Sequence, residues 1–277
     1  MDIQSLLPLV VILPFVGASV IGIVGFLSPI FRKQESLIGV LATSMVAIPF
    51  IIYLIAFLNF DGKPLNFDLF SWMETPDLKI RFSYELDQLS LLMGMIVTGV
   101  GSLIHLYSIS YMHGDKGFYK YFLYLNLFIF AMTNLVLGDN LVVLFLGWEG
   151  VGACSYFLIG YWFTDMEKAK AAQKAFVANR IGDFALLTAM FLIYSTTGTL
   201  TFREFVYTGF DPVTLKMDLL ISIYCSDWQI SSDSFVCMVT RRYGRSYACF
   251  CFDSCRYNGN LWYLFDCKNE LDVLQCS

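Results

Sequence analysis

The chain has 277 residues, of which 57% are hydrophobic and 15% charged, with a net charge of −5 and a mean hydropathy of +0.62. Soluble domains carry about 25% charged residues. A single water-soluble core cannot bury this much apolar surface, so composition excludes a soluble enzyme and a disordered chain alike. No basic run forms a phosphate-binding footprint, which excludes nucleic acid as a partner and leaves the lipid bilayer as the expected environment.

Runs of about 20 apolar residues, the length that crosses the hydrocarbon core, predict six transmembrane helices, near 6–27, 37–60, 86–107, 119–137, 140–162 and 176–194. A seventh apolar run opens at Leu219 and then fails. The first is not expected to be a cleaved leader, because no basic segment precedes it and Asp2 is acidic. Arg32 and Lys33 follow the first span, Lys116 and Lys120 the third, and Lys168, Lys170 and Lys174 the fifth. Cationic loops stay cytoplasmic, so the N-terminus and the 61–85 segment are expected outside the cell, with the chain in a bacterial inner membrane. Residues 61–87 hold six carboxylates, and Asp139 stands alone after the fourth span. Within that outer segment, 67–72 and 78–82 largely alternate apolar and polar residues. That period predicts a small extracytoplasmic β-hairpin turning near Thr75-Pro76-Asp77. The fold class is an all-α polytopic membrane protein with this hairpin and an aberrant C-terminal tail. The expected divisions are two N-terminal helices (1–60), the hairpin loop (61–85), a second block of helices (86–220) and the tail (221–277).

A carboxylate in hydrocarbon costs about 2.5–3.5 kcal/mol on insertion scales, so an intramembrane acid is a functional candidate by default. Glu149 lies mid-span among Gly147, Gly150 and Gly152, residues that let neighbouring backbones approach closely. Such a group can load and unload protons. The alternative is a structural carboxylate hydrogen-bonded between helices. Arg180 and Asp183 share a helix face at i,i+3 spacing and are expected to pair, either as a self-neutralised anchor or as part of a proton path. His105 is expected to be a satisfied core histidine, with proton relay the weaker reading. His113 is expected at the surface. No metal-ligand spacing and no phosphate, flavin or nicotinamide fingerprint is present, so no bound metal or cofactor is expected on this chain.

Three segments carry a resemblance. Leu146-Gly-Trp-Glu-Gly-Val-Gly-Ala-Cys-Ser-Tyr-Phe-Leu-Ile-Gly-Tyr-Trp162 is similar to the fifth-helix motif of the subunit L family of bacterial NADH-quinone oxidoreductase, respiratory complex I. Lys174-Ala-Phe-Val-Ala-Asn-Arg-Ile-Gly-Asp183 resembles the segment that follows it, and Ser108-Ile-Ser-Tyr-Met-His113 is similar too. The likeness covers residues 1 to about 220. It implies an antiporter-like fold of inverted helix repeats, of which this chain would hold an incomplete first repeat. It also implies a non-redox, proton-translocating subunit of an oxidoreductase, with Glu149, Asp183 and Arg180 in the proton path. Other membrane subunits would be the partners, and protons the only small substrate. NADH, flavin, iron-sulfur clusters and quinone would belong to other subunits. The motifs are partly shared with multi-subunit cation/proton antiporters and energy-converting hydrogenases, which stand as the alternative.

The likeness stops near Leu220. Seven of the eight cysteines lie between Cys225 and Cys276, in a stretch rich in Ser and Arg. Back-translated and read one base later, Arg241-Arg-Tyr-Gly-Arg-Ser-Tyr-Ala248 permits Asp-Ala-Met-Ala-Gly-Pro-Thr, a motif of the resembled family. Three steps are forced by single-codon residues: Trp228-Gln229 and Trp262-Tyr263 give Gly, and Met238-Val239 gives Trp, each where that family has it. The expectation is a truncated member, out of frame from a point between Leu220 and Trp228. Its cysteines would then be by-products of the shift. Their spacing and odd number suit neither a disulfide framework nor a zinc ribbon. A nonfunctional remnant is the reading from a different class.

Overall fold

The computed structural model describes residues 3–60, 64–74 and 79–202. Six helices there are long and apolar enough to cross a membrane. The elements run α1 (Ile3–Leu27), α2 (Pro29–Arg32), α3 (Glu35–Leu58), β1 (Leu65–Glu74), β2 (Lys79–Leu86), α4 (Gln88–Tyr111), α5 (Phe118–Leu137), α6 (Leu141–Ile159) and α7 (Met166–Thr197). The seventh apolar run and the 221–277 tail lie outside the described residues, as does the turn expected at 75–77.

Residue contacts divide the chain into two units, one of residues 1–73 with 81–154, the other of 74–80 with 155–277. In the first, α1 packs on α3 and α5, and α4 packs on α3 and α5. Its core joins Leu7, Val10 and Val11 of α1, Ile52, Tyr53 and Ala56 of α3, Leu91 of α4, Leu137 of α5 and Val143 of α6 to Tyr84 and Leu86 of β2. α1 is helical through Pro8 and Pro14, and α3 through Pro49. Proline removes one ladder hydrogen bond, and neighbouring helices restrain the chain around it. The outward faces remain apolar: Ile23 is 61% exposed, Leu58 74%, Leu103 66% and Tyr107 67%. A continuous surface of that kind belongs in lipid or against other membrane helices.

The hairpin forms as the alternation predicts, its strands joined by the short 75–78 connection that only antiparallel neighbours permit. Phe70 stacks on Phe82, with ring centroids 4.8 Å apart, and Trp72 leans on the same ring at 5.5 Å. These cross-strand aromatic pairs hold the register. The second strand is longer than the alternation indicates. It runs to Leu86, where the third span was expected to begin, and α4 starts only at Gln88. The reason is the capping box at Asp87 and Ser90: the Ser90 backbone N–H donates to the Asp87 carboxylate at 2.7 Å, and the Asp87 N–H to Ser90 Oγ at 2.8 Å. Apolar content continues across that boundary, but the cap ends the strand.

β2 is also locked to the bundle. Asp139, expected to stand alone, accepts a hydrogen bond from Ser83 Oγ at 3.1 Å, and its own N–H donates to the Ser83 carbonyl at 3.2 Å. Tyr84 pairs by an isolated bridge with Gly138 and donates its hydroxyl to Asn134 Oδ1 at 2.5 Å. Asn140 Nδ2 donates to the Arg81 carbonyl at 2.7 Å, while its Oδ1 caps α6 by accepting from the Val143 N–H at 2.8 Å. The α5–α6 connection thus lies along β2 like a third, very short strand. Burial pushes the Tyr84 hydroxyl up to about 12.

In the second unit, α7 begins ten residues before the expected span at Phe176. Asp165 caps it, accepting from the Glu167 N–H at 3.1 Å, and Lys168 closes on Asp165 at 3.5 Å. A bilayer boundary is set by charge and a helix boundary by its cap, so the two need not coincide. At 1.5 Å per residue α7 is about 48 Å long, more than the roughly 30 Å of hydrocarbon. Its lysine-bearing start can therefore stand outside the apolar layer. Gly198, at φ 72°, ends it in the left-handed conformation that glycine adopts without strain.

Candidate functional site: an intramembrane carboxylate on a glycine-packed helix

α6 is apolar on all sides, which marks a helix buried in protein or lipid. Its close seat on α5 comes from two glycines. A Cβ at Gly147 would stand 2.6 Å from the Leu135 backbone nitrogen, and one at Gly150 would stand 2.9 Å from Ala131 Cβ. Gly147 and Gly150 are one turn apart, as are Ala131 and Leu135, so α6 seats its glycines against the Leu135 backbone and the small Ala131 of α5. Glu149 sits between those glycines in sequence and is half-buried. Helical geometry at 100° per residue turns it away from the α5 contact, toward the opposite flank of α6. Trp148 and Cys154 on the same helix are buried.

Arg180 and Asp183 both lie on α7. Asp183 is 4% exposed, and its carboxylate is 3.8 Å from the Arg180 guanidinium, the i,i+3 pairing expected from their spacing. The guanidinium also lies over the Phe176 ring, 4.7 Å from its centroid. A buried acid is thus held beside a partly exposed cation that stacks on an aromatic face. Glu149 belongs to the first unit and this pair to the second.

His105 is fully buried between α4 and α5, its ring 6.1 Å from that of Phe122. Nδ1 donates to the Gly101 carbonyl at 2.7 Å. Nε2 is buried without a hydrogen-bond partner among the described residues. His105 is therefore a core histidine, as expected, with Nδ1 bonded to the backbone. His113 is at the surface, where Nδ1 meets Glu35 Oε2 at 2.6 Å and ties the α4–α5 turn to the start of α3.

Sequence reasoning missed the amides. Asn126, Asn134 and Asn140 are all buried, and two of them anchor β2 or cap α6. An asparagine inside an apolar span was the available signal, since an amide in hydrocarbon needs an internal partner.

Two family models match this chain: complex I chain 5 N-terminus over residues 72–122, and the NADH:quinone oxidoreductase/Mrp antiporter transmembrane domain over residues 138–226. NADH-quinone oxidoreductase subunit L of Escherichia coli K12 is 42% identical over 204 residues, covering 73% of this chain and 33% of the relative. The subunit L of Pseudomonas aeruginosa PAO1 is 38% identical over 209 residues, with the same two coverages. That of Mycobacterium tuberculosis H37Rv is 46% identical over 147 residues, covering 53% of this chain and 23% of the relative. Among solved structures, the Mrp complex from Dietzia sp. DQ12-45-1b superimposes with a TM-score of 0.64 at 25% identity, covering 82% of this chain and 23% of that one. An archaeal membrane-bound sulfane sulfur reductase shares the fold at TM-score 0.68 and 19% identity, covering 87% of this chain and 50% of that one. The chain spans about a third of the length of the first curated relatives it matches. The family matches over residues 72–122 and 138–226 and the subunit L relatives place it: the chain belongs to the family of antiporter-like membrane subunits of NADH:quinone oxidoreductase.

Proposed function

We infer that this chain represents part of a proton-translocating membrane subunit of a bacterial NADH-quinone oxidoreductase, in which electron transfer on other subunits drives proton movement through this one. The observation that carries the reading is Glu149, an acid in the middle of an apolar helix whose glycines press it onto α5. A carboxylate in that position binds or releases a proton according to the charge brought near it. Arg180 and Asp183 supply a movable charge pair: drawing the guanidinium from Asp183 toward another acid would change the proton affinity of both. His105 is a weaker member of the same path. NADH, flavin, iron-sulfur clusters and quinone are assigned to other subunits, and those membrane subunits are the partners. The loop charges orient the chain with its N-terminus and hairpin outside the cytoplasmic membrane.

The test is Glu149→Gln in a frame-restored, full-length subunit within the assembled complex. NADH-driven acidification of inverted vesicles should fall at least tenfold while the complex still assembles. Unchanged pumping rejects the role and leaves Glu149 structural. A second reading, a subunit of a cation/proton antiporter, is favoured by the Mrp transmembrane match over residues 138–226. Genes encoding antiporter subunits beside this one would select it; genes for complex I subunits would select the first.

A further inference from the structure

The α4–α5 seam holds two buried hydrogen-bond acceptors, His105 Nε2 and Asn126 Oδ1. Ser108 Oγ and Tyr121 Oη lie 3.3 Å apart. About two turns away, a Cβ at Gly101 would stand 2.6 Å from Ile129 Cδ1. His105 falls between Gly101 and Ser108 on α4, and Asn126 falls between Tyr121 and Ile129 on the antiparallel α5, so the two residues share a level. Both are fully buried.

Their hydrogen-bond chemistry fixes what each presents. A carbonyl only accepts, so the contact of His105 with the Gly101 carbonyl places a hydrogen on Nδ1 and leaves Nε2 of the neutral ring as a lone pair. Asn126 Nδ2 donates to the Phe122 carbonyl at 3.1 Å, so turning that amide over would set oxygen against oxygen. Its Oδ1 therefore stays an acceptor, and it too is buried without a partner among the described residues. Gly17 of α1 and Met45 of α3 pack beside it: a Cβ at position 17 would stand 3.1 Å from that oxygen and 2.8 Å from Met45 Cβ. Two acceptors cannot bond each other, and leaving both unmade inside a membrane bundle is costly. The smallest neutral group that satisfies two acceptors is a molecule with two donors.

We propose that this seam is a binding site for an internal water, which donates one hydrogen to His105 Nε2 and the other to Asn126 Oδ1. Two polar partners meet the minimum for an ordered buried water. The site is distinct from Glu149 and stands whether or not that carboxylate moves protons. It makes His105 a hydrated imidazole within the bundle instead of a dry packing residue.

The chain contains only two histidines, so 15N-histidine labelling of the full 277-residue chain in liposomes and solid-state NMR read the site directly. His113→Gln assigns the second signal. The expected result is a neutral His105 ring protonated at Nδ1, with a hydrogen-bonded Nε2 that receives magnetisation from water. Asn126→Leu should abolish that transfer while the His113 signal stays unchanged. A His105 Nε2 with no transfer from water in the unsubstituted chain overturns the proposal. So does a ring protonated at both nitrogens, which would bond Asn126 directly. The unsubstituted spectrum decides even if a variant fails to fold.

Discussion

Gly147 and Gly150 are the residues on which the candidate site most directly depends, and they differ in how tightly they are held. A methyl at 147 would meet three Leu135 atoms at 2.6–2.8 Å, two of them backbone, whereas one at 150 would meet a single atom, Ala131 Cβ, below 3 Å at 2.9 Å. Gly147→Ala should therefore cost about 1–3 kcal/mol of stability through overpacking, and Gly150→Ala less. Thermal unfolding in detergent, followed by exposure of the buried Cys154 to a thiol reagent, reads both; equal costs would contradict the geometry. The closeness of the two helices was legible from the glycine spacing alone, because only residues without side chains permit it. The role of Asn126 was not, because an amide carries no period and its partner lies on another helix.

Tyr84 ties the hairpin to a membrane helix, and its hydroxyl makes that tie sensitive to alkali. Burial pushes the folded phenol up to about 12, from 10.0 for a free one. A raised acid pKa favours the protonated form in the folded state, so the stabilisation is complete below pH 10 and is lost as the pH rises toward 12. A shift of that size corresponds to about 2–3 kcal/mol. Tyr84→Phe should remove this part of the alkaline loss. At neutral pH it should itself cost about 1 kcal/mol or more, since Asn134 Oδ1 is left buried without its donor. Denaturation in detergent at pH 8, 10 and 12, variant against parent, measures both effects. Orientation is tested on the same elements. Ser36→Cys at the start of α3 and Ser71→Cys in β1 should label with an impermeant thiol reagent from opposite faces of the membrane, and labelling from one face alone contradicts the loop-charge topology. Strand alternation made the hairpin legible, but not the end of β2. Apolar residues run unbroken into α4, and the Asp87–Ser90 cap decides where one stops and the other starts.

At the scale of the whole molecule, the codon pattern of 221–277 leads to the proposal that the segment is read out of frame, and the family match ending at residue 226 is consistent with it. In the proposed frame, the lysine that the resemblance implies opposite Glu149 would fall where Gln229 and Ile230 stand. Expressed as written in a strain lacking the homologous subunit, the chain should restore no NADH-driven pumping, and restoration would overturn the frameshift reading. Resequencing the gene across codons 218–230 checks the same point at its source. Sequence by itself determined the membrane class, the six apolar helices, the hairpin and the family, because each rests on composition, period or contiguous motif, properties that survive without a partner. Only tertiary structure decided that Asp139 and Asn134 grip β2, that Gly147 rides on the Leu135 backbone, and that His105 Nε2 and Asn126 Oδ1 are buried without a partner among the described residues. Those facts depend on which residues of distant helices come to the same depth. In an apolar bundle that is settled by close packing of small faces and by the need of every buried polar atom for a partner.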